Sequence, residues 1–135
     1  MIIVGAKGLA KEVLEILHQR DISDQLAFFD DINDDPDYLF DQFPILHSME
    51  DVSDYFMQND KYFTVGIGNP HLRKRLAEKF CSLGGIYTST ISLKADIGSF
   101  GVSLGSGVNI LDGVKISNSV VLGQGALIYY NVVIT

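Results

Sequence analysis

A chain of 135 residues, 47% hydrophobic and 20% charged, has the composition of a soluble globular protein with one modest core, or two small ones sharing an interface. Its net charge of −7 argues against a nucleic-acid surface, since the ten Lys and Arg are scattered except at Arg73, Lys74 and Arg75. The single cysteine, Cys81, excludes an internal disulfide and fits a reducing cytoplasm, and no stretch approaches the apolar length of a membrane span.

The opening MIIVGAKG lacks the basic and long apolar regions of a signal peptide and reads as a strand over residues 1–4, followed by the turn Gly5-Ala6-Lys7-Gly8. Leu9, Val13, Ile16 and Leu17 then recur at helical spacing, with Lys11, Glu12, Glu15 and Gln19 on the other face. Residues 26–29 form a second strand ending in Asp30-Asp31, which opens an acidic loop, DDINDDPD. Residues 44–46 suit a short strand. Ser48 is placed to cap a helix running through Val52, Tyr55 and Phe56, with Asp51 at its third position. Residues 62–67 read as a buried strand leading into Gly68-Asn69-Pro70, where Asn69 can cap a helix and Pro70 can open it. That helix is expected to bury Leu72, Leu76, Phe80 and Leu83 and to stop at Gly84. The order β-α-β-β-α-β-α-β predicts a small parallel α/β domain over residues 1–88, joined without a flexible linker at Thr88-Ser89-Thr90.

From residue 89 the period changes. Counting in sixes from Leu104 puts Ile110, Ile116, Leu122, Ile128 and Ile134 on one column, and Val108, Val114, Val120, Ala126 and Val132 on a second. Helical periodicity cannot give a strict six-residue repeat, but short strands joined by tight turns can. Gly105, Asn109, Asp112, Gly113, Asn118 and Gly123 lie between the columns and suit those turns. Residues 89–135 therefore read as a hexapeptide-repeat β-helix of about two and a half coils, at three hexapeptides to a coil.

Three strand ends carry candidate chemistry. The strand–Gly5-x-x-Gly8–helix turn aims backbone N–H groups and a helix N-terminus at an anion, with Lys7 as a point cation; a bare tight turn explains the glycines equally well. Asp30 and Asp31 follow the second strand on the same sheet edge, where an acid can accept hydrogen bonds from a ribose or a base N–H. Gly68 permits close backbone approach after the third long strand, and Asn69 adds an amide. Together they make one crevice, which favours a nucleotide ligand. A calcium loop over Asp31, Asn33 and Asp35 fails, because Pro36 stands at the sharp-turn Gly and Gln42 at the bidentate Glu, so no metal is expected. Arg73 lies in the first turn of its helix, where a solvated face suits it better than a phosphate contact. Cys81, beside Phe80, is expected to be a buried structural thiol. His18 and His47 read as surface or boundary residues.

MIIVGAKGLAKEVLEIL, FFDD, TVGIGNPHLRKRL and the hexapeptide run together resemble the sialic acid O-acetyltransferase (NeuD) and pilin-glycosylation acetyltransferase (PglD) family of sugar acyltransferases. The resemblance implies a Rossmann-like front domain that holds a sugar or nucleotide-sugar acceptor through Gly5, Lys7, Gly8, Asp30, Asp31, Gly68 and Asn69. It also implies a left-handed β-helix that forms a homotrimer and binds acetyl-CoA between neighbouring copies. A histidine of the repeat would act as general base on a sialic acid or a nucleotide-linked amino sugar. Lys7 departs from the small residue usual at its place.

None of the three histidines lies in the repeat, His71 being the last. The base is expected beyond Thr135, so the chain is expected to be part of a longer cytoplasmic enzyme and to lack transfer activity alone. A binding module without chemistry and a structural trimerisation unit are the alternatives. A nicotinamide oxidoreductase is set aside, because the three-glycine fingerprint is incomplete.

Overall fold

The computed structural model describes residues 1–32 and 36–135. The first strand, β1 (Ile2–Val4), is wholly buried, as a strand covered on both faces must be. It joins β2 (Ala27–Phe29), β3 (Tyr38–Leu39), β4 (Phe43–Leu46), β5 (Tyr62–Val65) and β6 (Ile86–Tyr87) in a sheet of order β3-β4-β2-β1-β5-β6. Every pairing is parallel except β3 with β4. Strand alternation sends Ile3 and Phe28 to one face, where α1 (Gly8–Gln19) covers them with Ala10, Val13 and Leu17. Ile2, Val4, Phe29, Phe63 and Val65 face the other way. They pack with Val52 and Phe56 of α2 (Met49–Gln58) and Ala77 and Phe80 of α3 (Pro70–Ser82).

The expected caps are present: the Ser48 side chain accepts from the Asp51 N–H in a full capping box, and the Asn69 side chain accepts from the Leu72 N–H with Pro70 opening α3. Three expectations for the α/β layers need correction. β3 and β4 form a hairpin joined by residues 40–42, where Phe40 and Asp41 hold φ of 52° and 53° and the Gln42 N–H donates to the Leu39 carbonyl at 3.1 Å. Such left-handed pairs usually carry Asn, Asp or Gly, so Phe40 is the unexpected residue. Next, α3 is rotated about its axis: Arg73, Ala77 and Phe80 are buried, Leu72 and Leu76 only partly so, and Leu83 is exposed. Cys81 turns outward with that rotation and is exposed. The acidic loop falls partly on residues 33–35, and the calcium-loop positions Asn33 and Asp35 lie outside the described residues.

Beyond β6 the chain winds into coils built from β7 (Thr90–Ile91), β8 (Asp96–Ile97), β9 (Ser103–Leu104), β10 (Asn109–Ile110), β11 (Lys115–Ile116), β12 (Val121–Leu122), β13 (Leu127–Ile128) and β14 (Val133–Ile134). They stack as parallel sheets β7-β10-β13, β8-β11-β14 and β9-β12. The pairs Asn109↔Leu127, Lys115↔Val133 and Ser103↔Val121 are each eighteen positions apart, three hexapeptides to a coil. Ile91 and Ile97 extend the inward column backward, with one extra residue in the corner before Leu104. Asn109 is not a turn residue: it sits in β10, fully buried.

The coils lie directly against the α/β layers. The Arg20 Nε donates to the Ile91 carbonyl at 2.7 Å, and the Tyr130 hydroxyl donates to the Glu12 carboxylate. Tyr87 stacks on Phe63 at 5.1 Å between centroids, and its other side meets the corner at Gly107. A Cβ at Gly107 would fall 2.2 Å from the Tyr87 ring, and its φ of +72° is one that glycine adopts at least cost. Among the described residues no helix is long and apolar enough to cross a membrane.

Candidate functional site

The chain leaves β1 for β2 on one side and reaches β5 on the other, so the strand order reverses between β1 and β5. Crevices at such reversals, beyond the carboxyl ends of the strands, are where open α/β sheets take ligands. A cleft of about 580 Å³ opens there. It is lined by Gly5, Lys7, Asp30, Asp31 and Gly68 among the residues singled out above, together with Leu72, Leu76, Arg75 and Lys79 of α3. Gly8 and Asn69 do not line it: Gly8 opens α1 and Asn69 spends its side-chain oxygen on the α3 cap.

The glycines divide by role. Gly5 has φ +111°, its N–H donates to the Phe29 carbonyl at 2.8 Å, and a Cβ on it would meet the Gly66 carbonyl oxygen at 2.9 Å. Gly66 lets α1 approach β5, because a Cβ there would fall 2.7 Å from the Ala10 Cα. A Cβ at Gly8 or Gly68 would meet nothing within 4 Å. Close packing therefore accounts for Gly5 but not for Gly8 or Gly68; the first turn of α1 has no side-chain cap, whereas that of α3 is capped by Asn69.

Asp30 is held from several sides. Its N–H donates to the Leu46 carbonyl at 3.0 Å, its carboxylate accepts from the Ile32 N–H at 3.0 Å, and its carbonyl receives the His47 Nδ1 at 3.0 Å. Because a carbonyl only accepts, Nδ1 carries a proton. Carboxylates thus stand at the β2 end of the cleft while Lys7, Arg75 and Lys79 stand elsewhere on its walls. That polarity suits a ligand with hydroxyl or N–H donors at one part and phosphate at another. The signal for Arg75 and Lys79 in the sequence is only their i, i+4 spacing on one flank of α3.

A second groove of about 720 Å³ runs along the opposite flank of α3, against residues 124–127. It is larger, yet of the seven residues expected to hold the acceptor it contains only Gly68. Arg73 lies on the wall of this second groove, and it is neither solvated nor free to reach a phosphate. Only 4% exposed, it donates Nη1 to the carbonyls of Val65 (2.8 Å) and Ile67 (2.9 Å), Nε and Nη2 to that of Gly125 (3.1 and 2.8 Å), and Nη2 to the Asn109 side-chain oxygen (2.8 Å). Burial pulls its pKa down, but a guanidinium keeps its charge. On the coils, the Asp112 carboxyl is held below its ordinary range by the Ser92 hydroxyl and by Lys94.

A switch-point cleft in a small parallel sheet, packed on parallel hexapeptide coils, defines a Rossmann-like domain carried by a β-helix. Residues 1–80 match the family described as the PglD N-terminal domain, and the chain belongs to that family. Among solved structures it is similar to a histidine-to-asparagine variant of perosamine N-acetyltransferase from Caulobacter crescentus in complex with CoA and GDP-perosamine. The TM-score is 0.86 at 27% identity, over 98% of this chain and 61% of that one. PerB from the same organism, also with CoA and GDP-perosamine, gives 0.82 at 28% identity over 98% and 61%. The acetyltransferase domain of PglB from Neisseria gonorrhoeae in complex with acetyl coenzyme A gives 0.81 at 20% identity over 98% and 62%, a likeness of fold. The chain spans about 61% of the length of the first of these. Comparison with curated proteins found no match.

Proposed function

We propose that residues 1–88 hold a nucleotide-linked amino sugar as the acceptor of an acetyl group from acetyl-CoA, and that residues 89–135 are part of the left-handed β-helix on which that transfer takes place, in a homotrimer. The observation that carries the reading is the meeting of three strand ends in one cleft lined by Gly5, Lys7, Asp30, Asp31 and Gly68, where Gly68 answers no steric demand of the fold. Asp30 and Asp31 accept from the nucleoside, while Lys7, Arg75, Lys79 and the N-terminus of α1 hold phosphate oxygens. GDP-perosamine in the similar structures supports a nucleotide-linked amino sugar over free sialic acid.

No histidine stands among residues 89–135. On its own side chains, therefore, this chain binds the acceptor without acetylating it. Calorimetric titration with GDP- and UDP-linked amino sugars should show saturable binding to one of them. Asp30→Ala should weaken it by at least about tenfold, or about 1.4 kcal/mol, and acetyl-CoA with the sugar should release no CoA thiol. Absence of saturable binding to either nucleotide class would overturn the acceptor assignment, and thiol release would overturn the claim of binding without transfer.

A further inference from the structure

Arg73 makes contacts that neither a surface helix nor a phosphate site requires. Its fork uses every N–H it has, and each acceptor is a carbonyl oxygen. Two of those carbonyls, on Val65 and Ile67, flank Gly66, whose own carbonyl oxygen would stand 2.9 Å from a Cβ on Gly5. The others belong to Asn109 and Gly125 on the coils. Asn109 passes the connection on, its amide donating to the Thr64 and Thr90 hydroxyls at 3.0 and 2.6 Å. One buried side chain thus ties the cleft wall to the second and third coils.

The direction of these bonds matters. In a trans peptide the C=O of one residue and the N–H of the next point opposite ways. The Gly66 N–H donates to the Val4 carbonyl at 2.8 Å, while the Val65 carbonyl turns the other way to Arg73. By the same geometry, drawing the Ile67 carbonyl to Arg73 turns the Gly68 N–H away from it. Gly68 lines the cleft and has no side chain to cover that donor.

We propose that Arg73 is a positioning residue: it sets the peptide plane before Gly68 and fixes the cleft wall against the coils, so that a nucleotide sugar in the cleft is coupled to residues 109 and 125. This rests on the acceptor reading above. A lysine keeps the charge but offers three rotating donors instead of a planar fork, and it cannot span three segments. Satisfied buried polar networks of this kind favour one arrangement over neighbouring ones.

The test uses the 135-residue chain with Arg73→Lys, and Asn109→Ala as a second variant that touches no cleft residue. Binding of a GDP- or UDP-linked amino sugar and amide hydrogen exchange are measured at a temperature where circular dichroism shows every protein folded. Arg73→Lys should weaken binding about tenfold or more, and Asn109→Ala severalfold. In the wild type the ligand should slow exchange at residues 66–68 and also at residues 107–111 and 123–127; in Arg73→Lys the effect on the coils should vanish. A role confined to stability would lower the melting temperature of both variants but leave affinity and the reach of protection unchanged, which would overturn the proposal while sparing the acceptor reading. If the wild type binds neither sugar, the acceptor reading fails and the coupling fails with it. Should Arg73→Lys not fold, Asn109→Ala decides: wild-type affinity and wild-type protection of the coils would count against the proposal.

Discussion

At the first turn, two glycines three positions apart answer to different masters. Gly5 is held at φ +111° with the Gly66 carbonyl 2.9 Å from where a Cβ would sit, so any side chain there strains the backbone and pushes the β5 turn away. Gly8 begins α1 in open space. Gly5→Ala should therefore cost about 2 kcal/mol or more of stability. Gly8→Val should change stability by no more than about 1 kcal/mol, since it fills a helix position with an ordinary residue, yet it should abolish nucleotide-sugar binding by covering the α1 N-terminus. Urea denaturation beside calorimetric titration separates the two. Equal losses of stability from both substitutions would mean that Gly8 is only a turn residue.

Among the elements, α2 depends most visibly on its cap. The Ser48 hydroxyl accepts from the Asp51 N–H at 3.1 Å, and the Asp51 carboxylate accepts from the His47 and Ser48 N–H groups, each at 3.2 Å. The Ser48 hydroxyl, then those backbone groups, hold the Asp51 carboxyl below its ordinary value. A depressed folded pKa gives stability that is fully present above the unfolded value, about 4, and is lost as pH falls through the folded one. Ser48→Ala should cost about 1 kcal/mol. The gap in urea midpoint between wild type and Asp51→Asn should be widest above pH 5 and close as pH falls below 4; a gap independent of pH would remove the carboxylate from the cap. This helix was legible because cap and apolar positions lie within a few residues of each other. The hairpin of β3 and β4 was not, because Phe40 is not a residue that announces a left-handed turn. Nor was the rotation of α3. Its cations at 73, 74, 75 and 79 surround the helix, and two of the four residues that accept from Arg73, Asn109 and Gly125, lie 36 and 52 residues away. The same rotation decides that Arg75 and Lys79 join the cleft, while the glycine turn and the acids could be placed there by strand order alone.

For the molecule as a whole, the inward column of the coils was countable from sequence, but the depth of each position was not, because depth depends on what stacks above and below. Ile110 is fully buried and Ile116 is 3% exposed, whereas Ile128 and Ile134 are only partly covered and Val132 is 38% exposed. β10 is flanked by β7 and β13, while β14 has only β11 beside it among the described residues. Hydrophobic stabilisation follows area removed from water, and cavities form only where neighbours surround the site. Ile110→Ala should therefore cost about 3–4 kcal/mol, and Ile134→Ala about 1 kcal/mol or less. Guanidinium denaturation of the two variants at micromolar concentration measures the contrast. Equal costs would show that the third coil is covered in solution by something outside a single 135-residue chain. Repeating the titration at tenfold lower protein would then tell association from burial within the chain, because only an intermolecular contact makes the cost of Ile134→Ala depend on concentration.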